Sequence, residues 1–116
     1  MNPIIKEKWV KALRSGEYKQ GKGILRAGED SFCCLGVLCD LYGRDTGEEW
    51  KGGGCEDDDC EEYAMSGATA LLPVDVQDWA GLGDEDPLVK EHTLSEWNDS
   101  QGRDFAAIAD LIEEAL

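Results

Sequence analysis

An apolar run of eleven residues is the feature that most limits how this chain can fold. Residues 32–42 read FCCLGVLCDLY, although 32% of the whole sequence is charged. The run predicts a central buried helix that Ser31 caps and Gly43 ends. A strand over residues 32–38 is the alternative, because periodicity alone does not separate a short buried strand from a helix. One face of the predicted helix carries Phe32, Leu35, Cys39 and Tyr42.

Three further helices are predicted, and with short strands they give an α+β fold in a single domain of 116 residues. Apolar residues recur at helical spacing over residues 3–14, 73–80 and 105–116. The first helix has Asn2 as its cap and proline at its first position, and the last has Asp104 as its cap.

The segments between these helices are predicted to be strands, turns or loops. Short strands are predicted over residues 69–72 and 93–97, and a turn over residues 98–102. Residues 18–27 contain two glycines and are predicted to be extended or looped, as one arm of a hairpin that turns at residues 28–30. Residues 44–63 are rich in glycine and acid, lack an apolar period and are predicted to be a surface loop.

Positive charge is concentrated at the N-terminal end of a strongly acidic chain. The net charge is −15, yet residues 1–28 hold seven basic residues against Glu7 and Glu17. Such an overall charge argues against general nucleic-acid binding or attachment to an anionic membrane surface. No run approaches the ~20 apolar residues that span a bilayer. A local basic cluster is therefore the best candidate for binding an anion.

The predicted binding site is the glycine-rich basic segment that runs from residue 19 to residue 26. Its cations could neutralise a phosphate or carboxylate, and its glycines would let backbone N–H groups approach that anion. The spacing of a Walker A loop is absent. The alternative is that these cations pair with the acidic remainder of the chain. The residues assigned to the site are Lys19, Gln20, Gly21, Lys22, Gly23 and Arg26.

Three residues outside this segment are added to the predicted site. Trp50 does not belong to an apolar pattern of helical or strand period, so the sequence does not predict its burial. It could stack on a nucleobase or anchor its loop. Asn98 and Asp99 are polar turn residues that could contact a base or ribose. A homodimer that completes the pocket is compatible with the sequence.

Neither a metal centre nor a catalytic set is predicted. Cys55 and Cys60 are spaced like loop ligands, but the paired CxxC knuckles of zinc sites are missing. The other cysteines, Cys33, Cys34 and Cys39, follow the apolar pattern and are interpreted as small core residues. An odd cysteine count without a secretory signal indicates free thiols in a cytoplasm. His92 has no neighbouring nucleophile, so we expect no catalytic residues and no cofactor.

The order of residues resembles small proteins encoded by tailed phages and prophages. The resemblance rests on WVKALRSGEYKQGKGILR at residues 9–26 and FCCLGVLCDL at residues 32–41, and it extends over most of the chain. Two features depart from that pattern, namely Trp97 and the acidic loop around Cys55 and Cys60. The resemblance implies a phage-derived protein in the host cytoplasm that acts on host systems by binding.

These observations lead to one expected function and two alternatives. We expect a non-enzymatic protein that sequesters an anionic, nucleotide-like small molecule, such as a second messenger of host defence. The first alternative is an acidic inhibitor that imitates nucleic acid on a basic host protein. Salt dependence separates it from the expected function, because a surface charge mimic loses its partner steeply as salt rises. The second alternative is a small structural or regulatory phage protein without a ligand.

Overall fold

The computed structural model describes residues 1–27, 31–52 and 63–116. These residues form an α+β fold, as the sequence predicts. The described helices are α1 Pro3–Ser15, α2 Cys34–Thr46, α3 Val74–Ala80, α4 Leu94–Asp99 and α5 Phe105–Ala115. The described strands are β1 Lys19–Gln20, β2 Arg26–Ala27, β3 Ser31–Phe32, β4 Lys51–Gly52, β5 Tyr63–Ala64, β6 Leu88–Val89 and β7 His92–Thr93.

The first and last helices agree with the sequence prediction. The side-chain oxygen of Asn2 accepts hydrogen bonds from the backbone N–H groups of Ile4 and Ile5, at 2.9 and 3.4 Å. Asp104 caps α5 in the same way, accepting from the N–H of Ala107 at 2.9 Å. The apolar faces of α1 and α5 pack against each other and form one side of the core.

The central helix is real, but both of its predicted ends are wrong. Residues 31–32 form β3, and α2 begins after Cys33, whose sulfur accepts a hydrogen bond from the N–H of Gly36 at 3.4 Å. The helix continues through Gly43 and ends at Gly47, which has a φ of 82°. Gly43 is needed for close packing instead, because a Cβ atom there would lie 2.7 Å from the carbonyl oxygen of Glu48.

The glycine-rich segment contributes two strands to a three-stranded sheet of order β1–β3–β2. β1 is parallel to β3, with Lys19 opposite Ser31, and β2 is antiparallel to β3, with Arg26 opposite Phe32. The β2–β3 pair agrees with the predicted hairpin, but the arm predicted over residues 18–27 is divided between β1 and β2, and the predicted turn at residues 28–30 lies outside the described residues.

The prediction of one continuous loop over residues 44–63 is wrong at both ends. Residues 44–46 belong to α2, and β4 pairs with β5 in antiparallel register, Lys51 opposite Ala64. The sequence does not predict β4 and β5, because strands of two residues are too short to show an alternating pattern. Residues 53–62, which include Cys55 and Cys60, lie outside the described residues.

Two further strand predictions are wrong. Residues 69–71 are bends and residue 72 is irregular, and the carbonyl of Thr69 accepts a hydrogen bond from the N–H of Leu25 at 2.7 Å. Residues 94–99 form helix α4 because Thr93 and Glu96 build a capping box. The hydroxyl of Thr93 accepts from the N–H of Glu96 at 3.4 Å and donates to its carboxylate at 3.1 Å. Asn98 and Asp99 therefore lie in the last turn of a helix.

The core is built around the first half of α2, where every residue from Cys33 to Cys39 is buried. Leu25 and Trp9 are also fully buried, and the indole N–H of Trp9 donates to the carbonyl of Cys34 at 3.0 Å. Within the described ranges, Asn98 is the one buried polar or charged residue. No helix in these ranges has the length and apolar character needed to cross a membrane.

Replacing Gly36 tests the packing of α2 against the backbone of Leu25. A Cβ atom on Gly36 would lie 1.7 Å from the carbonyl oxygen of Leu25. We expect Gly36→Ala to lower the free energy of unfolding by about 3 kcal/mol, because backbone must move to make room. Helix propensity alone would raise it by up to about 1 kcal/mol.

Urea unfolding of both proteins measures this difference. Gly83→Ala is the matched control, because nothing lies within 4 Å of a Cβ at that position. A Gly36→Ala protein as stable as the wild type would contradict the packing of α2 on Leu25.

Candidate functional site

The nine predicted binding residues separate into three groups. One group forms a hydrogen-bonded network, the second lies among aromatic rings, and the third is largely exposed to solvent. The hydrogen-bonded network contains Gln20, Gly21, Asn98 and Asp99. Arg26 and Trp50 lie among the aromatic rings. The exposed group is Lys19, Lys22 and Gly23.

The first group, which we call the Asn98 network, joins β1 to the end of α4. The side-chain N–H₂ of Gln20 donates to the side-chain oxygen of Asn98 at 3.0 Å and to the carbonyl of Arg103 at 2.7 Å. Asn98 in turn donates to the carbonyl of Gly21 at 2.9 Å and to the carboxylate of Asp99 at 2.7 Å. Both amides thus act within the protein to hold the glycine-rich segment, and ligand contact by them stays a prediction.

The exposed group consists of two lysines and a glycine on the same segment. In the described part of the chain, neither Lys19 nor Lys22 forms an ion pair. Pairing with acidic residues in the described part of the chain therefore does not account for these two lysines, and the acidic residues of 53–62 lie outside that part. Gly23 has a φ of 82°, and a Cβ atom there would meet no neighbour within 4 Å.

Arg26 lies among three aromatic side chains, and we call these four residues the Arg26 cluster. The central guanidinium carbon is 4.6 Å from the ring centre of Tyr63, 5.2 Å from that of Phe32 and 5.7 Å from that of Trp50. The pairing of β2 with β3 puts Arg26 opposite Phe32, and β5 supplies Tyr63. Aromatic faces attract a guanidinium at these distances, so the cluster orients a planar cation.

Asp40 fixes the tryptophan of the Arg26 cluster. One carboxylate oxygen accepts from the indole N–H of Trp50 at 3.1 Å. The other accepts from the hydroxyl of Tyr18 at 2.6 Å and from Nε of Arg44 at 3.1 Å. Burial, and then the bond to Asp40, raise the pKa of Tyr18 well above its usual range. Tyr18 therefore stays a neutral donor, and the charge of Asp40 is offset by its partners.

A cleft of about 330 Å³ opens beside the Arg26 cluster. Its wall combines two guanidinium groups and two aromatic rings with three carboxylates, of which Asp40 is already offset. This combination suits a planar ring that carries an anionic group. The described lining holds no serine, cysteine or histidine. The lining residues are Arg26, Asp40, Gly43, Arg44, Glu48, Glu49, Trp50 and Tyr63.

Six residues of the cleft were missed by sequence reasoning, namely Asp40, Gly43, Arg44, Glu48, Glu49 and Tyr63. Asp40 and Arg44 are four residues apart, a spacing that would have paired them had the predicted helix extended past Gly43. Tyr63 follows the acidic run directly and shows no pattern of its own. Sequence reasoning also missed Arg103, whose backbone joins the Asn98 network.

The remaining chemical groups considered from the sequence lie elsewhere. Cys33, Cys34 and Cys39 are buried free thiols, as predicted, and burial raises the pKa of Cys33 to about 11. The described residues contain no group of three or more side chains that could hold a metal ion. His92 lies next to Glu96, with Nδ1 3.3 Å from a carboxylate oxygen.

These features define a small α+β domain with a cleft lined by two aromatic rings, two arginines and three carboxylates. The chain belongs to the family described as a domain of unknown function, DUF8296, whose model matches residues 1–116. Searches of curated proteins and of solved structures found no match. The phage origin inferred from the residues stays a prediction, because the family description names neither source nor activity.

A double-mutant cycle tests the Asn98 network. Asn98→Ala should lower the free energy of unfolding by about 3 kcal/mol, because it removes a buried amide and leaves its partners unsatisfied. Gln20→Ala should cost about 1 kcal/mol. The double variant should cost about 1 kcal/mol less than the sum, since the two side chains share a hydrogen bond.

Gln77 provides the control for this cycle. Its side-chain N–H₂ donates to the carbonyl of Leu72 instead, at 2.8 Å. Gln77→Ala combined with Asn98→Ala should therefore be additive in urea unfolding. Additivity of Gln20→Ala with Asn98→Ala would show that the two amides are not coupled.

Proposed function

We propose that this protein binds an anionic, nucleotide-like small molecule in the cleft of the Arg26 cluster and does not transform it. The observation that carries the proposal is the guanidinium of Arg26, held 4.6–5.7 Å from three ring centres at the edge of that cleft. Such a group presents planar donors to a phosphate beside flat surfaces for a ring.

The anionic part of the ligand is assigned to the two arginines. A guanidinium has five N–H donors, so Arg26 can bind an anion in addition to its contacts within the protein. Arg44 uses Nε for Asp40, and its side chain is 67% exposed at the cleft. Two guanidinium groups on one wall favour phosphate over a neutral ligand.

The ring of the ligand is assigned to Trp50 and Tyr63. Both side chains are half-buried and line the cleft, so part of each ring is accessible. Stacking of a base on an aromatic side chain contributes about 1–3 kcal/mol. The exposed carboxylates of Glu48 and Glu49 are acceptors for ribose hydroxyls or an exocyclic amine.

Sequestration is the biological role that this binding would serve. The resemblance to phage proteins and the absence of a catalytic motif in the sequence support it. So does the lack of an ion pair at Lys19 and Lys22 within the described residues. A protein that captures a signalling nucleotide in a host cytoplasm needs tight binding and no turnover. Lys22 lies four residues before Arg26 and would add positive charge on the approach to the cleft.

Thermal unfolding with a ligand panel tests this proposal. The panel contains nucleoside monophosphates, cyclic dinucleotides and ADP-ribose, with the matching nucleosides as uncharged controls. A ligand that binds only the folded state raises the melting temperature, and the nucleosides should do so much less. No stabilisation by any phosphate-bearing member would contradict the proposal.

The Arg26→Lys variant tests whether the anion is bound by the planar guanidinium group or only by the positive charge. The variant keeps the positive charge but loses the fork of donors that fits a phosphate. We expect the dissociation constant for the best ligand of the panel to rise about tenfold or more in calorimetry.

Arg14→Lys is the matched control, because Arg14 lies on α1 and binds Asp110 and Glu113. The dissociation constant of Arg14→Lys for the same ligand should equal that of the wild type. Equal affinity of Arg26→Lys and the wild type would show that Arg26 does not bind the anion.

A further inference from the structure

A second pocket lies between the β6–β7 turn, α4 and α5, and Trp97 forms part of its wall. The indole N–H of Trp97 donates to the carbonyl of Val89 at 2.9 Å. The ring of His92 contacts it edge to face, with ring centres 4.8 Å apart. The Trp97 ring is thereby fixed, is half-buried, and borders a pocket of about 280 Å³. Leu111 and Ala107 of α5 supply apolar surface in the same pocket.

Of the two cations in the lining of this pocket, Arg103 is the one that forms no ion pair among the described residues. Lys90 pairs with Glu114 at 2.9 Å, and Arg14 is shared by Asp110 and Glu113. Each carboxylate of the lining thus has a basic partner, and the exposed guanidinium of Arg103 is available to an anion.

The backbone of Arg103 is held from both sides. Its N–H donates to the carbonyl of Trp97 at 3.0 Å, and its carbonyl accepts from the side chain of Gln20 at 2.7 Å. The backbone of Arg103 is therefore held next to the ring of Trp97. The fixed ring of Trp97 loses little conformational freedom when a ligand binds.

Lys90 lies in the two-residue turn between β6 and β7, and its φ of 60° is the left-handed conformation that such tight hairpin turns require. Its side chain pairs with Glu114 of α5, so the turn and the helix are joined beside the pocket.

We propose that this pocket binds a small planar aromatic anion, with the ring against Trp97 and the anionic group on Arg103. The volume of about 280 Å³ is below the range of drug-sized ligands, which favours a single ring with one carboxylate or phosphate. The site is separate from the Arg26 cluster, and it uses the tryptophan that departs from the phage pattern.

The indole N–H signals of ¹⁵N-labelled protein test this site directly. The chain has four tryptophans, so single Trp→Phe variants assign the four signals. Benzoate and phenyl phosphate are the probes, and their separate titrations distinguish carboxylate from phosphate. Benzamide is the uncharged control, and cyclohexanecarboxylate is the control without an aromatic ring.

The expected result is a saturable shift of the Trp97 signal with benzoate or phenyl phosphate at concentrations up to about 10 mM. Benzamide and cyclohexanecarboxylate should bind about tenfold more weakly or not at all. Arg103→Gln should weaken binding of the charged probe about tenfold, and this exposed substitution should leave the fold intact. Arg44→Gln, at the other cleft, should leave the Trp97 titration unchanged.

Three outcomes would overturn the proposal. The first is a Trp97 signal that does not respond to either charged probe. The second is equal binding of benzoate and benzamide, since the anion would then play no part. The third is an unchanged titration in Arg103→Gln. A response of the Trp50 signal without a response of Trp97 would assign the probe to the Arg26 cluster and equally overturn this site.

Discussion

The structure depends on the close contact between Leu25 and the first turn of α2. Leu25 is fully buried, its N–H donates to the carbonyl of Thr69, and its carbonyl accepts from the N–H of Cys33 at 3.2 Å. Only glycine at position 36 allows the helix to approach that carbonyl so closely. This contact fixes one end of the glycine-rich segment, and the next residue along the chain is Arg26.

The other end of that segment is fixed by the buried amide of Asn98. Burying an amide costs free energy unless its hydrogen bonds are replaced, and here Gln20, Gly21 and Asp99 replace them. The segment between these two anchors contains Lys22 and Gly23, which are exposed. An exposed basic stretch held at both ends can meet an anion with less ordering cost than a free loop.

Of the three carboxylates in the lining of the cleft, Asp40 is the one whose charge is offset within the described part of the chain. One arginine and two neutral donors, from Tyr18 and Trp50, bind it. The same arrangement orients Trp50 toward Arg26. The carboxylate of Asp40 therefore has two effects on the cleft. Its own charge is offset by Arg44, and its bond to the indole N–H fixes the ring of Trp50 beside Arg26.

The sequence predicted those parts of the fold that rest on long periodic patterns. The helices α1, α2 and α5 have caps and apolar faces, so their existence could be read directly. Thr93–Trp97 was predicted as a strand because its short apolar pattern is ambiguous, and the capping box of Thr93 and Glu96 was overlooked. The end of α2 was missed because Gly43 was interpreted as a stop, whereas it serves the approach of Glu48.

The site was predictable only in part, because it is assembled from distant segments. The basic charge and the glycines of residues 19–26 indicate Arg26 as a binding residue. Trp50 is indicated because it belongs to no apolar pattern that predicts its burial. Nothing in the sequence joins these residues to Tyr63 or Asp40, since the contacts arise from the pairing of β2 with β3 and of β4 with β5. Similarly, Gln20 and Asn98 are 78 positions apart, and only the fold brings them together.

The most direct test of the account is to identify what the protein captures. Purified protein is incubated with an extract of phage-infected bacteria, washed and heated, and the released compounds are analysed by mass spectrometry. The account predicts a phosphate-bearing nucleotide released from the wild type and from Arg14→Lys, and much less from a variant combining Arg26→Lys with Trp50→Ala. Release of no nucleotide, or of equal amounts from all three proteins, would contradict the assignment of the Arg26 cluster as the binding site.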